Sequence, residues 1–411
     1  MAGSVELEKS NGNLGSVGEA EDGIAAFVLT GVASGAIVLG EVLGAFYSLD
    51  DVEAIGIDEA YDTANEILVW QQLKEFYDSA AEGTEMYLML VSEAVTMTEM
   101  LDVNNDYAAK LLASPDVNGR VRLLGVGRVP DALYAPTLVN GLDDDIATAL
   151  VKGQALAEYS FSKYRPISIF LEGRNFTGTA GDLLNYHDPN NGSYNRCHIW
   201  VGADNDVSTA KAYAAKYANV GFIVGWISNS QVQRSPGRVR RGATPIINAG
   251  WSDGTAFSSQ SETSRNAIDG KGYMFFWKHF GKTGFYVNDG YAAVPLTDDY
   301  AYVDRGRPID KAARIAYLTY LEEVQEDFDV DESGKMAAGV IKNLQQSIET
   351  AIGLQMIETP DVKEVSSVEG LIDPDQNVLS TNNIEVELAI IPKGKAKTIK
   401  IKLGFTNPQL A

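Results

Sequence analysis

The chain has 411 residues and a single cysteine, Cys197, which rules out any disulfide within it. Usage this sparse fits a reducing compartment, or an assembly that needs no covalent staples. Only three histidines occur, His187, His198 and His279. They are not grouped at the spacing of a zinc ligand set. Cys197 and His198 are adjacent, which aims them at opposite faces of a strand, so they cannot readily share a proton as a nucleophile pair. Cys197 reads as a small buried hydrophobe. Positive charge is scarce: 33 Lys and Arg stand against 56 Asp and Glu, for a net charge of -23. A chain this acidic is poorly suited to holding a phosphate backbone, which argues against a nucleic-acid partner. The N-terminus, MAGSVELEKSNG, lacks the basic and apolar regions of a secretory signal. One uncharged stretch, residues 23–40, reaches 18 residues but contains four glycines and is closed by Asp22 and Glu41. It reads as two strands, residues 25–30 and 36–39, around a Gly-Val-Ala-Ser-Gly turn rather than as a membrane span.

Apolar residues make up 45% of the chain, enough for a sizeable core and two or three domains. From residue 23 to about 230, strand-like and helix-like patterns alternate. Strands are expected at 86–91, 121–126, 167–171, 198–201 and 222–227. Helices are expected around residues 64–80, 107–112, 144–160 and 207–218. This alternation implies βαβ units and a largely parallel sheet. Residues 230–300 are irregular and rich in Gly, Ser and aromatic residues. Two amphipathic helices follow, with stripes at Ile309, Ala313, Ala316, Tyr320 and Val324, and at Ile341, Leu344, Ile348, Ile352 and Gln355. Lys342, Gln345, Gln346 and Glu349 fall off the second stripe.

The two ends of the chain differ in character from its middle. Residues 1–22 hold five acids and one lysine. They have a short alternating piece at Val5 and Leu7 and too little apolar surface to order alone. Near the C-terminus the period becomes two. Ile384, Val386, Leu388 and Ile390 alternate with acids, whereas Ile399, Ile401, Leu403 and Phe405 alternate with Lys400 and Lys402. Pairing the two runs as a hairpin, with Ile390 opposite Ile399, would place every apolar pair on one face. Such a ribbon is marginal alone and must join a larger sheet or lie on a core. Ends of opposite charge and strand-like pattern suggest that they meet, within one subunit or across subunits by strand addition. The plainer alternative is an edge hairpin whose lysines block aggregation.

Chemical motifs are incomplete. Gly281-Lys282-Thr283 lacks the glycine a phosphate loop needs five residues earlier, where Phe276 stands. Gly125-Val-Gly127 lacks the third glycine of a dinucleotide fingerprint. Residues 329–334 copy the first half of a calcium loop, but its twelfth position is Val340 where a bidentate glutamate is required. The segment is expected to be a turn in which Gly334 supplies positive φ. The chain is therefore read as having no catalytic residues, no metal site and no cofactor. Arg234, Arg238, Arg240 and Arg241 form the densest basic cluster. In so acidic a chain it would dock on an acidic neighbouring subunit or remain a solvated loop.

Several segments, taken in order, resemble contractile tail sheath proteins of phages and related injection systems. They are residues 298–315 (DDYAYVDRGRPIDKAARI), the loop DVDESGKM with the helix after it, and the closing segment LIDPDQNVLSTNNIEVELAIIPKGKAKTIKIKLGFTNP. Upstream, residues 11–31 (NGNLGSVGEAEDGIAAFVLTG), 46–57 (FYSLDDVEAIGI) and 232–246 (VQRSPGRVRRGATPI) resemble a compact, Bacteroidetes-type sheath subfamily.

The resemblance implies an α/β fold: a mostly parallel α/β middle domain, an α+β C-terminal domain facing an inner tube, and extended β-arms at both ends. The corresponding boundaries are 1–22, 23–300, 301–392 and 393–411. The resemblance further implies self-assembly into stacked hexameric rings, with an inner tail tube protein, a baseplate and a tail terminator as partners. No membrane insertion is implied. Val5, Leu7 and the apolar and lysine positions of the tail would make the inter-subunit contacts, and Lys335 and Lys342 would approach the tube. The expected setting is a virion tail or contractile injection particle assembled in the bacterial cytoplasm. The alternatives are an α/β ligand-binding protein or enzyme of unknown substrate, or another self-assembling shell subunit.

Overall fold

Six apolar runs, none long enough for a stable helix of its own, are gathered into one sheet. They are β1 (Ala25–Thr30), β2 (Val42–Phe46), β3 (Met86–Val91), β4 (Leu123–Gly127), β5 (Ser168–Glu172) and β6 (Cys197–Trp200). The structure, a computed structural model, describes residues 21–131, 133–358 and 363–401. The strand order is β2-β3-β1-β4-β5-β6. All neighbours run parallel except β2, which pairs antiparallel with β3 at the edge. Strands β1, β3, β4, β5 and β6 are buried along their whole length, as a sheet covered on both faces requires. The mostly parallel α/β expectation therefore holds.

Helices α1 (Val69–Tyr77), α2 (Asp144–Ser162), α3 (Val220–Ser228) and α4 (Val303–Leu321) accompany this sheet. A Cβ on Gly125 of β4 would meet Val224 of α3, while a Cβ on Gly153 of α2 would meet Cys197 and Ile169. Since Gly125, Phe170 and His198 share one face by register and Ile169 and Cys197 the other, α3 and α2 lie on opposite faces. Cys197 and His198 thus point in opposite directions, as their adjacency requires. His198 stacks on Phe170 and its Nδ1 meets the Tyr291 carbonyl at 2.8 Å. Burial lowers its pKa to about 3, leaving the imidazole neutral. Burial likewise raises the Cys197 thiol, which suits an inert packing residue.

Three local expectations are corrected. Residues 222–227, read as a strand, lie in α3, whose nine residues are all buried. A continuous apolar run cannot distinguish a buried strand from a buried helix. What separates them here is Gly221 and Gly225, one turn apart, on which a Cβ would sit 1.8 Å from the Gln72 carbonyl oxygen and 2.3 Å from that of Phe76. The two glycines let α3 press directly on the backbone of α1. Gln72 also accepts from Gly221 N (2.7 Å) and donates to the Ala218 carbonyl (3.0 Å), tying down the start of α3. Residues 36–39 form only a turn with an isolated bridge between Ser34 and Ile37; the strand begins at Val42. The helix expected over 207–218 is split into Asn205–Ala210 and a short 3-10 turn, Ala212–Ala214.

The chain divides into two compact units, residues 1–325 and 326–411. In the second, α5 (Ala338–Ile352) buries Ile341, Leu344, Ile348 and Ile352, the stripe read from sequence. A single π turn, Gly353–Ile357, then shifts the winding so that Met356, not Gln355, is buried. An antiparallel ribbon of β7 (Val365–Leu371) and β8 (Glu387–Pro392) completes this unit. No helix among the described residues is long and apolar enough to cross a membrane.

Candidate assembly surfaces

The open crevice at the carboxyl ends of parallel strands, where the order reverses about β1, is the customary ligand position in this fold class. Here it is filled. Glu172 at the end of β5 accepts from Arg128 N (2.6 Å) and Ala218 N (3.0 Å). Arg174 approaches Asp143 at 3.6 Å and Arg128 approaches Asp145 at 3.7 Å. Burial pushes the Glu172 carboxyl up to about 7, with Arg174 opposing the shift. The space left is ≈ 10 Å³, about that of one water. These buried side chains fill the strand ends and leave no room for a ligand there. Neither the phosphate-loop-like segment nor the calcium-like loop builds a site. Gly281 and Lys282 lie in an exposed turn. In the second unit, the Asp331 carboxylate is occupied by Ser333 N, Ser333 Oγ and Lys335 N, with Gly334 at φ 79° as expected. Among the described residues no three His, Cys, Asp or Glu groups converge to hold a metal.

The ribbon of the second unit is asymmetric. Gly370 of β7 donates its N–H to Glu349 Oε1 (2.9 Å) and accepts from Gln345 Nε2 (2.9 Å), both from α5. A Cβ at Gly370 would come within 3.1 Å of the Ile348 side chain, so a larger residue here would have to push that side chain aside. Because both polar groups of Gly370 turn away from β8, the Gly370–Leu388 and Val368–Ile390 pairs are the non-hydrogen-bonded pairs of the ladder. Leu388 and Ile390 therefore aim their N–H and C=O groups outward, along an edge that carries no strand among the described residues. Helix α5 closes one edge of the ribbon and leaves the other open.

Among the described residues the tail hairpin expected from sequence is not formed. Ile384, Val386, Leu388 and Ile390 do share a half-buried face that alternates with exposed residues. Their strand nevertheless pairs with residues 365–371, and residues 399–401, the described part of the expected partner, join no ladder. That partner run, VSSVEGL, carries no clean alternation in sequence because Ser366, Ser367, Glu369 and Gly370 interrupt its apolar residues. Ile399 and Ile401 are 78% and 76% exposed, Lys400 is exposed, and none of the three is in a ladder. Lys402, Leu403, Phe405, Val5 and Leu7 lie outside the described residues. Gln345 and Glu349 bind β7, so they are not free surface residues as their place off the stripe suggested. Their i,i+4 spacing beside that stripe was the available signal. Lys335 pairs with Asp375 at 2.7 Å, and Lys342 is exposed.

In the first unit, the described chain begins at a fixed anchor. Asp22 pairs with Arg314 and with Lys311 (3.0 Å), and its carbonyl accepts from Arg307 (3.0 Å), all on α4. Burial would raise the Asp22 carboxyl, but Arg314 and Lys311 hold it below its usual range. The four-arginine cluster is divided. Arg241 stacks over Trp226 at 3.5 Å and donates to Trp226 O and Ser230 Oγ. Burial, then nearby Arg307, lowers its pKa to about 10. Arg234 binds Gln231 at 3.0 Å. Arg238 and Arg240 are exposed. Arg241 is thus a structural residue, and only Arg238 and Arg240 remain as plain surface cations.

Residues 2–291 match the family model DUF2586, N-terminal domain, and residues 299–410 match DUF2586, C-terminal domain. Among solved structures, the chain is similar to one in the 6-fold symmetrised baseplate of the anti-feeding prophage, with a TM-score of 0.61, 14% identity and 98% of each chain covered. It is also similar to a chain of that particle's helical sheath in the contracted state, with a TM-score of 0.59 and 15% identity over 98% of this chain and 99% of the other. A third is in the contracted sheath complex of PVC, an extracellular contractile injection system. There the TM-score is 0.57 and the identity 11%, over 100% of this chain and 99% of the other. No curated protein matches the sequence. At these identities the likeness is one of fold, and it extends over almost the full length of both partners in each comparison.

Proposed function

The chain belongs to the DUF2586 family, and on that footing we propose that it is the sheath subunit of a contractile, phage-tail-like particle. It polymerises into stacked hexameric rings around an inner tube protein, between a baseplate and a terminator. Contraction is a rigid-body rearrangement of subunits. The chain has a mechanical role and no catalytic one, and the particle is assembled in the bacterial cytoplasm.

One observation carries this reading. The β7–β8 ribbon offers outward N–H and C=O groups at Leu388 and Ile390, while Ile399 and Ile401 lie exposed without a ladder. A bare edge and a bare strand-like segment on one chain are complementary by strand addition. Since each copy both gives and accepts, the contact is heterologous, and heterologous contacts propagate into rings or helical filaments. The N-terminal arm, with Val5 and Leu7, and the tail positions Lys400, Lys402, Leu403 and Phe405 supply the added strands. Arg238 and Arg240 meet an acidic neighbour, and Lys335 and Lys342 approach the tube. Electron microscopy of the purified full chain tests the proposal. Hollow tubes or rings are expected, whereas discrete monomeric particles across a range of concentrations would refute it.

A further inference from the structure

A chain with a net charge of -23 nevertheless has a strongly basic cleft in its first unit. The cleft, ≈ 480 Å³, lies between the loop that precedes β4, the end of α2 and the outer face of α4. Arg120, Arg122, Lys163, Arg165 and Arg314 line it, and no carboxylate does. Arg120 is balanced by Glu85 at 2.6 Å and Arg314 by Asp22. Lys163 and Arg165 have no carboxylate partner among the described residues; Lys163 lies over the Tyr159 ring and Arg165 donates to the Leu112 carbonyl. The floor is aromatic: Tyr164 and Tyr317 stack at 4.2 Å, and Tyr164 and Leu318 are each more than 60% exposed. A basic rim on which Lys163 and Arg165 have no carboxylate partner among the described residues, beside the exposed Tyr164 ring and Leu318, calls for an acidic, partly apolar partner.

We propose that this cleft is the docking site of the chain's own acidic arm, residues 1–20. The arm's Val5-Glu6-Leu7-Glu8 alternates apolar and acidic side chains, matching a cleft with aromatic floor and cationic rim. The arm also enters the body at the cleft itself, because Asp22 is bound by Arg314, which lines it. The stretch from Glu8 to Asp22 spans about 45 Å when extended, so the reach is ample. The dock stands without the sheath reading. One consequence does rest on that reading: an arm held in its own cleft is withheld from neighbouring copies until assembly displaces it.

Disulfide trapping in the unassembled full chain tests the dock. The variants are Ser4→Cys with Ala113→Cys, which lines the cleft, and Ser4→Cys with Asp131→Cys, beyond the opposite end of β4 as a control. The native Cys197 is fully buried and does not compete. The cleft pair is expected to form an intrachain disulfide at least tenfold faster than the control, at a rate independent of protein concentration. Lys163→Glu is expected to slow it severalfold, and 1 M salt likewise. Equal rates for the two pairs, indifference to Lys163→Glu, or disulfides that join two copies would overturn the proposal. The readout requires no tubes, so its failure and that of the sheath reading are distinct.

Discussion

Glu349 accepts the Gly370 N–H at 2.9 Å, and this contact decides which edge of the C-terminal ribbon is available. With β7 capped from α5, the ribbon edge that meets no strand among the described residues is that of β8. At that edge Leu388 and Ile390 turn their amides outward, whereas Ala389 and Ile391 are committed to the ladder with Glu369 and Ser367.

Ile390→Pro separates assembly from folding. Proline at an outward-facing edge position removes no ladder hydrogen bond, so the thermal midpoint is expected to fall by only a few degrees. Tube formation is expected to fail. Ala389→Pro, which removes an inward amide, is expected to destabilise the ribbon itself. Thermal denaturation alongside negative-stain microscopy reads both effects.

Gly221→Ala tests the correction from strand to helix in residues 220–228. The new methyl would fall 1.8 Å from the Gln72 carbonyl, forcing α3 off α1. Overpacking of this kind costs about 3 kcal/mol or more, measured by denaturant unfolding.

The alternating βα pattern was legible in the sequence because β1, β3, β4 and β5 are short apolar runs and α2 is long. What could not be read was which runs lie against backbone. Residues 222–227 look the same as a strand or as a helix until the Gly221–Gln72 approach is known. The ribbon partner was missed for a related reason. The tail strand has a clean period of two, but its mate, residues 365–371, is half polar because Ser367 and Glu369 lie on an exposed face. Pairing the tail with the next apolar segment was the natural reading, and the exposed Ile399 and Ile401 correct it. The arginine cluster shows the same limit, since spacing marked four residues alike and burial separates Arg241 from the rest.

Arg241→Ala is expected to lower stability by about 2 kcal/mol, through loss of its stacking on Trp226 and its hydrogen bonds to Trp226 O and Ser230 Oγ. Arg238→Ala and Arg240→Ala are expected to stay within about 0.5 kcal/mol in the unassembled chain. Denaturant midpoints of the three variants make the comparison.

Glu75 is buried, takes hydrogen bonds from Gln71 (2.7 Å) and Tyr217 (3.1 Å) on one oxygen, and is pushed up by burial, then by nearby Asp204, to about 8 from 4.5. The folded chain thus keeps this proton between pH 4.5 and about 8, where the unfolded chain has lost it. Stability must fall as pH rises through that window and level off above it. Glu75→Gln removes the effect. Relative to the parent chain it is expected to gain a few kcal/mol at pH 8.5 and almost nothing at pH 4. Unfolding curves at the two pH values provide the difference.

The most direct measurement is hydrogen–deuterium exchange at the Leu388 and Ile390 amides in the free chain and in its polymer. If a strand from a neighbouring copy joins the outer edge of β8, both amides exchange freely before assembly and at least tenfold more slowly after it. Equal exchange at these two positions in both states would show that the edge is not where copies join.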